Sequence, residues 1–449
     1  MATVIVDPTA SSNGTGSNAS PKNTYSGLTI SSGDVVLQRA DTEYEGNITI
    51  PVNATDVVLG VCNGNGTPIR DGSITARVNA NGQQFGVRVR EGAHRYDIFG
   101  FDVRNANGST QNWAFYLGNT QSQVADGGRL HHCIAHDTGS DATADSGGVK
   151  WFGSDVTIED VSVYNMPTDA FFGQGNRAVI RRTRSWAIDQ DGRGFGDNIQ
   201  ITGNGTLGCS GARIYDNWCD HSDMESKQAI NIQDTTGGSV GALVFGNVCL
   251  MPEYLSALTN GIYVEIPYAA VVANDIIGAY YGVYCRLAGN VVIGNIVRNS
   301  AYGLYQSSAT TGGKFYCNTV DRASISAIYA ATDTTFSARN NILLRSAIGL
   351  AKHGSATEDY NAYEGNGTDQ SNLGGTASWG ANNVMEALLL DASYRPTALS
   401  PCRGAGVYIP GAKHFGGVPM NAGAPDIGAH RYFAAREIAA DRTVRLVGA

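Results

Sequence analysis

Acidic residues gather between residues 169 and 265, in segments that also carry basic and imidazole side chains. These ionisable residues are Asp169, Asp189, Asp191, Arg193, Asp197, His221, Asp223, Glu225, Lys227, Asp234, Glu253 and Glu265. Two carboxyls about 5 Å apart can serve a retaining glycosidase or share one proton, whereas a wider separation suits inversion. We predict a catalytic cluster of Asp169, Asp197, His221, Asp223 and Lys227. In hydrolysis, Asp197 would act as acid or base and Asp169 as its carboxyl partner.

Elimination is the alternative chemistry, and it needs a different set of groups. A lyase requires a base that removes the proton beside a uronate carboxylate and a cation that stabilises the developing enolate. Candidates for these roles are Lys227, Arg193, His221 and Tyr263. We assign the base to Lys227 if the reaction is elimination. A plainer interpretation, which the sequence leaves open, is that each of these charges is a solvated loop residue.

The elements that position these residues form an internal repeat. A phrase that begins with a small residue recurs at Gly261, Gly282, Gly303, Ala327 and Gly349, at steps of 21, 21, 24 and 22 residues. A second phrase follows about twelve residues later and carries an Asn, at Asn274, Asn295, Asn318 and Asn340. Both phrases continue upstream with longer spacers, through Asn217 and Asn247 for the second and through Ala170, Asn198 and Ala229 for the first.

Each phrase alternates β-branched and aromatic residues between Gly, Asn, Asp or Ser, which is typical of a short strand. Two or three such strands per repeat of about 22 residues predict an all-β solenoid, in which each strand pairs in parallel with its copy in the next coil. The Asn column would stack at one bend, form a hydrogen-bonded ladder and tolerate left-handed backbone geometry. The only good helical pattern is NVMEALLLD at residues 383–391.

Equivalent residues of successive coils lie about 4.8 Å apart in a solenoid, so the alignment predicts neighbours. The position two residues after each start should point outward, and it holds Lys150, Phe172, Gln200, Asn231, Tyr263, Tyr284, Tyr305 and Tyr329. Two positions further along lie Gln174, Thr202, Gln233, Glu265 and Arg286. Rings interleaved with amides and charges suit a sugar chain, whose C–H faces stack on rings while its hydroxyls need donors and acceptors. A solvated sheet face is the alternative.

Long spacers surround this outward stripe. The steps from residue 114 to 148, 170 to 198, 198 to 229 and 229 to 261 span 34, 28, 31 and 32 residues. The surplus must leave the coil as loops, and loops on a rigid scaffold are where binding residues concentrate. From the stripe and its loops we predict substrate-binding roles for Lys150, Phe172, Arg193, Gln200, Asn231, Gln233, Tyr263, Glu265, Tyr284 and Arg286.

Composition argues against several other classes of protein. A net charge of -9 disfavours nucleic acid and anionic lipid as partners, and no apolar run approaches the roughly 18 residues of a membrane span. The N-terminus has no basic region followed by an apolar one, so we expect no secretory signal. The eight cysteines contain no CxxC pair and are expected as buried thiols, with a disulfide left open. We expect no cofactor and no metal, although the Asp-rich loops could hold calcium; His131, His132 and His136 fit a polar edge better than a metal site.

The coil length, the Asn column and the G-[IVL]-Y starts resemble those of right-handed parallel β-helix proteins of the pectate-lyase-like type. Segments 31–50 and 400–432 are also similar to the flanking parts of such proteins, so the resemblance covers about residues 25–432. It implies a single-stranded right-handed parallel β-helix with N- and C-terminal caps. In lacking a signal peptide the chain looks most like a bacteriophage tailspike depolymerase, which implies a homotrimer on a virion tail, although a secreted enzyme without its leader would look similar. The polygalacturonase set of NTD, DD, GHG and RIK motifs is not present.

These observations predict three segments: an N-terminal cap with the first strands at residues 1–60, the β-helix at 61–366, and a C-terminal cap and tail at 367–449. The predicted function is binding and cleavage of a bacterial surface or capsular polysaccharide, by hydrolysis or β-elimination. The alternative is a non-catalytic receptor-binding or structural tail protein, which would only adhere to the glycan.

Overall fold

The strands form three parallel β-sheets, and each coil of the chain contributes one strand to each sheet. The computed structural model describes residues 2–108, 111–139, 145–189, 196–204, 206–222, 227–252, 259–307, 311–331, 335–353, 356–374, 378–409, 423 and 425–429. The chain divides into two compact units, unit 1 at Met1–Ala242 and unit 2 at Leu243–Ala449. The described residues contain strands and turns but no α-helix.

Unit 1 contains the first 22 strands, and within the unit each strand pairs in parallel with the equivalent strand of a neighbouring coil. Its first sheet consists of β1 (Thr3–Val6), β2 (Val35–Arg39), β5 (Val58–Cys62), β8 (Asp97–Phe99), β11 (Arg129–His131), β14 (Thr157–Glu159), β17 (Val179–Arg181) and β20 (Arg213–Tyr215). Its second sheet consists of β3 (Glu43–Glu45), β6 (Ala76–Asn79), β9 (Phe101–Arg104), β12 (Ile134–His136), β15 (Ser162–Met166), β18 (Arg184–Ile188) and β21 (Trp218–Asp220). Its third sheet consists of β4 (Ile48–Ile50), β7 (Phe85–Val89), β10 (Asn112–Leu117), β13 (Ser146–Phe152), β16 (Asp169–Gln174), β19 (Asp197–Gly203) and β22 (Gln228–Asp234).

Unit 2 repeats the same three-sheet coil. Its first sheet consists of β23 (Leu243–Phe245), β26 (Ala270–Val272), β29 (Val291–Ile293), β32 (Thr311–Tyr316), β35 (Thr335–Arg339) and β38 (Thr357–Asp359). Its second sheet consists of β24 (Val248–Leu250), β27 (Asp275–Ile277), β30 (Ile296–Arg298), β33 (Thr319–Asp321), β36 (Ile342–Leu344) and β39 (Ala362–Glu364). Its third sheet consists of β25 (Asn260–Glu265), β28 (Tyr281–Cys285), β31 (Tyr302–Gln306), β34 (Ser326–Ala330), β37 (Ile348–His353) and β40 (Thr368–Gly374). The predicted fold, a right-handed parallel β-helix, is confirmed.

The core lies inside the coil, where aliphatic side chains stack from one coil to the next. Ile199 and Ile201 of β19 pair in register with Ile230 and Ile232 of β22, and all four side chains are fully buried. The residues between them point outward, so each third-sheet strand alternates between core and outer face. All eight cysteines are buried, as the sequence predicts.

The predicted alignment of the outward stripe is confirmed by the strand register within each unit. In unit 1, Lys150 pairs with Phe172, Phe172 with Gln200, and Gln200 with Asn231. In unit 2, the successive partners are Tyr263, Tyr284, Tyr305 and Tyr329. The stripe is less exposed than a solvated sheet face, since Lys150 and Asn231 are only 6% and 4% exposed.

An asparagine ladder runs through unit 2 at the bend between the first and second sheets. Its members are Asn247, Asn274, Asn295, Asn318, Asn341 and Asn361. From Asn274 onward, the Oδ1 atom of each member accepts hydrogen bonds of 2.9–3.0 Å from the backbone N–H and the side-chain amide of the preceding member. The prediction of Asn340 in this column is wrong by one residue, because Asn340 instead donates to the Val407 carbonyl at 2.7 Å.

Left-handed backbone geometry belongs to the residue before each ladder member, not to the ladder asparagine itself. The φ angles at Gly246, Ala273, Gly294, Cys317, Asn340 and Tyr360 lie between 55° and 66°. The tight bend therefore uses two neighbouring residues. The first has the left-handed backbone conformation, and the side-chain amide of the second forms the hydrogen bonds of the ladder. In unit 1, Asn217 has the second role, since it accepts from the backbone N–H and hydroxyl of Thr183 at 2.9 and 2.8 Å.

The predicted helix at residues 383–391 is wrong. The backbone of Val384 donates to the Asn361 carbonyl at 2.8 Å and accepts from Tyr363 at 2.9 Å, which extends the second sheet beyond β39. Leu388 is fully buried against Ile342 and Leu344. The unpaired backbone groups of the last strand and the exposed end of the core outweigh a weak helix propensity. Among the residues that the structure describes, no helix is long and apolar enough to cross a membrane.

Candidate functional site

A groove of about 630 Å³ opens on the outer face of the third sheet in unit 1. Its lining includes the rings of Tyr116, Phe152 and Phe172 and the polar side chains of Lys150 and Gln174. Tyr116, Lys150 and Phe172 occupy one row across β10, β13 and β16, because these strands pair in register. The groove is therefore built on the predicted stripe, extended upstream by one coil.

The ammonium group of Lys150 lies inside a box of four aromatic rings. The distances from Nζ to the ring centres of Trp113, Tyr116, Phe152 and Phe172 are 5.2, 5.9, 5.5 and 5.1 Å. Each ring face attracts the cation. The same Nζ donates to Asp145 Oδ1, which also accepts from the Trp113 indole N–H at 3.0 Å. The rings surround the ammonium group, and the indole of Trp113 holds the carboxylate that pairs with it. The charge of Lys150 therefore has a defined position in the groove.

Asp169 and Asp197 begin β16 and β19, and the coil brings them together as predicted. The Oδ1 atom of Asp169 accepts a hydrogen bond from the backbone N–H of Asp197 at 2.8 Å. Asp197 accepts from the backbone N–H of Gln228 at Oδ1 and from the side-chain amide of Asn231 at Oδ2, both at 3.0 Å. Asn231 belongs to the outward stripe, so the Asp197 carboxyl is bonded directly to the predicted binding surface.

Burial raises the pKa of both carboxyls. For Asp169, loss of solvation and then the negative charge of Asp197 raise the pKa well above its usual range, against the opposing charge of Lys150. For Asp197, burial raises the pKa to about 7 against the Asn231 amide and the charge of Lys227. Both carboxyls therefore hold a proton more readily than an exposed aspartate does, a property that suits a general acid.

The other predicted catalytic residues lie in different surroundings. His221 is buried and borders a separate groove with Trp186 and Trp218, on the second sheet. Burial lowers the pKa of His221 to about 3, so its ring is neutral and only weakly basic near pH 7. Lys227 is half-buried. Asp223 and Arg193 lie outside the described residues.

The remaining predicted binding residues of unit 1 stay on the outer face of the third sheet. Gln200 and Gln233 are both half-buried there, and Gln233 pairs in register with Thr202. Thr202 in turn accepts from the side-chain amide of Gln174 at 3.1 Å. These side chains continue the polar part of the stripe beyond the aromatic box.

Unit 2 carries its own outward cluster on the third sheet. The hydroxyl of Tyr263 donates to Glu265 at 2.9 Å and accepts from Arg286 at 3.1 Å, and Arg286 also pairs with Glu265 at 2.6 Å. The ring of Tyr284 packs edge-on against Tyr263, with centroids 5.2 Å apart. Burial raises the pKa of Tyr263 to about 12. The four predicted residues Tyr263, Glu265, Tyr284 and Arg286 thus form one contiguous surface.

Sequence reasoning missed the aromatic box around Lys150. Tyr116 could have been found, because the phrase AFYLGN that begins at Ala114 places it in the stripe column. Phe152 could also have been found, because it lies in the second outward column, in register with Gln174. Trp113 and Asp145 fall outside both columns. Within the part of the chain that the structure describes, no group of three or more His, Cys, Asp or Glu side chains could hold a metal ion.

No protein-family model matches the sequence, and no curated protein matches it. Solved structures do resemble it. The tailspike protein of E. coli bacteriophage HK620, in complex with a pentasaccharide, is 11% identical, with 79% of this chain and 68% of that chain covered and a TM-score of 0.55. A variant of that tailspike in complex with a hexasaccharide is 12% identical over the same shares, with a TM-score of 0.54. Pectate lyase Pel9A is 12% identical, with 96% of each chain covered and a TM-score of 0.41. The likeness to the tailspike shows that this chain has the right-handed parallel β-helix fold of that protein.

Proposed function

We propose that the protein binds an extended polysaccharide in the groove on the third sheet of unit 1 and cleaves it. The observation that carries this proposal is a groove lined with aromatic rings, which contains Lys150. The charge of Lys150 acts on the buried Asp169 carboxyl, and Asp169 and its hydrogen-bonded neighbour Asp197 both have raised pKa values. Phe152 and Phe172 offer faces on which sugar rings can stack, and Gln174 and Lys150 offer partners for hydroxyl groups. The tailspike that shares the fold holds a pentasaccharide, which supports a glycan ligand on this scaffold.

Hydrolysis is the chemistry that the carboxyl pair favours. Asp197 would give its proton to the glycosidic oxygen as the bond to the anomeric carbon breaks. Water would supply the hydroxyl group to that carbon and return a proton to Asp197, with Asp169 as the partner carboxyl. In the elimination alternative, Lys227 would remove the proton beside a uronate carboxylate, and the double bond would form as the glycosidic oxygen leaves.

A second candidate function is adhesion to a glycan without cleavage. The observation that favours it is the structural use of both carboxyls: each caps a backbone N–H of the next coil, and Asp169 and Asp197 are only 8% and 2% exposed. Such carboxyls can stabilise a coil without ever meeting a substrate. In that case the aromatic groove alone would account for recognition.

The test is to incubate the full chain with a panel of bacterial capsular polysaccharides and lipopolysaccharides and to measure chain length. New reducing ends alone indicate hydrolysis, whereas an unsaturated end group that absorbs ultraviolet light indicates elimination. We expect Asp197→Asn to abolish hydrolysis, while Asp155→Asn, at a half-exposed surface pair with Arg177, retains it. Retention of a polymer without shortening would support adhesion. Full cleavage by both Asp197→Asn and Lys227→Ala would overturn the site assignment.

We further propose that the protein works outside the bacterial cell, as part of a virion tail or as a secreted enzyme, and that it assembles as a homotrimer. Light scattering after size exclusion tests the assembly. A particle of three chains, each of 47.2 kDa, supports the trimer, and a particle of one chain overturns it.

A further inference from the structure

A second groove lies on the second sheet of unit 1, on a different face of the coil from the carboxyl pair. Its volume is about 310 Å³, and its lining includes Ser162, Arg184, Trp186, Trp218 and Asp220. Arg184 pairs in register with Trp218, so the two indoles lie on neighbouring strands two positions apart along the sheet. Both tryptophans are half-buried, so part of each ring remains open to the groove.

The orientation of Trp186 is fixed by a stack of rings on β12, β15 and β18. Trp186 stacks on Tyr164 with centroids 4.7 Å apart and an interplanar angle of 12°, and Tyr164 stacks on His136 at 4.9 Å and 7°. His136 is held at both ring nitrogens, by Asp102 at 2.9 Å and Asp137 at 2.6 Å. A ring held this way binds a flat ligand face at little cost in conformational entropy.

The polar groups of this groove carry one charge of each sign. Arg184 is exposed and has no ion-pair partner among the residues that the structure describes. Asp220 uses Oδ1 to accept from the backbone N–H and hydroxyl of Ser222, at 2.9 and 2.6 Å, which leaves Oδ2 as an acceptor. A guanidinium and a carboxylate together suit a ligand with hydroxyl groups, which both donate and accept, better than a charged ligand.

We propose that this groove is a second glycan-binding site, which takes an uncharged hexopyranose residue with its C–H face on Trp218 or Trp186 and its hydroxyls on Arg184 and Asp220. The site binds and does not cleave. It shares with the proposed function only the class of ligand, and it would hold a polymer while a different part of that polymer occupies the groove on the third sheet.

The probe is the same panel of capsular polysaccharides and lipopolysaccharides, and binding of the full chain is measured by affinity electrophoresis. We expect Trp218→Ala to raise the Kd for a polysaccharide that slows the wild-type protein in the gel. The expected rise is about three- to tenfold, which corresponds to the free energy of one aromatic contact. Arg184→Ala provides a second variant, which retains both indoles. The matched control is Tyr268→Ala, which removes a ring that is 68% exposed in unit 2 and should leave the Kd unchanged.

The outcomes separate this inference from the proposed function. Weaker binding by both groove variants, with an unchanged rate of cleavage on short oligosaccharides, supports the second site. Unchanged binding by both overturns it and leaves the proposed function standing. Weaker binding in a protein that never shortens the polymer supports the second site and overturns cleavage. No retention of any polymer by the wild type overturns both. If the effect of Arg184→Ala vanishes at high salt, the assignment of an uncharged sugar is overturned.

Discussion

The backbone N–H of Asp197 donates a hydrogen bond to the Asp169 carboxyl at 2.8 Å, so the second acid of the pair is positioned by the first. Asp197 repeats the arrangement toward Gln228 in the next coil, at 3.0 Å. Stacking of equivalent positions thus places two carboxyls on neighbouring coils at the start of third-sheet strands. Because both side chains are buried, their protonation is coupled to the stability of the coil as well as to any chemistry.

Replacing Asp197 with Asn should change how stability depends on pH. The pKa of Asp197 rises from 3.8 to about 7 on folding, so the folded state binds the additional proton between these values. That stabilisation is complete below about pH 4 and is lost as the pH rises through 7. We expect the free energy of unfolding of the wild type, relative to Asp197→Asn, to fall by at most about 4 kcal/mol between pH 4 and 8.

Urea denaturation at a series of pH values measures this difference. His221, whose pKa is lowered to about 3, has the opposite sign: its contribution is present above about pH 6.5 and is lost as the pH falls toward 3. It is present in both proteins and cancels in the difference. A difference that does not vary between pH 4 and 8 would mean that Asp197 is ionised in the folded protein at pH 4.

Lys150→Met tests whether the boxed ammonium group contributes to binding. The substitution keeps most of the alkyl chain among the rings but removes the charge from the groove. We expect the Kd for a retained polysaccharide to rise about tenfold, because the fixed donor at the centre of the groove is lost. Lys314→Met, at an exposed lysine of unit 2, is the control. Equal Kd values for the wild type and Lys150→Met would remove Lys150 from the binding surface.

Asn341→Ala and Asn340→Gly test the position of the ladder. Asn341 accepts two hydrogen bonds from Asn318 and donates to the carbonyl of Phe315 and to Asn361, so its loss leaves several buried groups unpaired. We expect Asn341→Ala to lower the free energy of unfolding by about 3 kcal/mol or more. Asn340→Gly keeps a residue that tolerates a positive φ and should lower it by less than half as much. A larger loss of stability for Asn340→Gly than for Asn341→Ala, in thermal or urea denaturation, would mean that Asn340 is the ladder residue.

The repeat was predictable because, in a solenoid, residues one repeat apart in the sequence become neighbours on successive coils. A spacing of 21 residues alone places Tyr263 above Tyr284, and the structure keeps that register. The one-residue error at Asn340 arose where two asparagines adjoin, since residue type cannot tell which of them turns the backbone and which bonds the next coil. At residues 383–391, helix propensity was overridden by an open sheet edge that exists only in the folded coil.

The candidate site was less predictable, because it depends on contacts that the repeat does not encode. Asp169 and Asp197 could be paired from their places before aligned strand starts. Their raised pKa values could not be predicted, because these values follow from burial, and burial depends on the residues packed around each carboxyl in the folded coil. Trp113 and Asp145 meet Lys150 through different positions of their strands and loops. Trp186 and Trp218 lie on the outer face of the second sheet, and the repeat predicts no binding residues there.

Glu159→Gln tests a buried carboxylate that stabilises the first sheet of unit 1. The side chain is 1% exposed and accepts from Arg129 and Arg181 at 2.6 Å and from Arg182 at 2.7 Å. Burial opposes ionisation, but the three guanidinium groups prevail and lower the pKa of Glu159 to about 2. Its contribution is present above about pH 4.5 and is lost as the pH falls through 2.

Because the arginines are partly hydrated, we expect Glu159→Gln to lower the free energy of unfolding at pH 7 by about 2 kcal/mol, less than for a fully buried ion pair. Urea denaturation should show that the two proteins converge toward pH 2, while Asp56→Asn, at an exposed pair with Arg95, matches the wild type. A deficit that persists unchanged to pH 2 would mean that Glu159 contributes through packing and not through its charge.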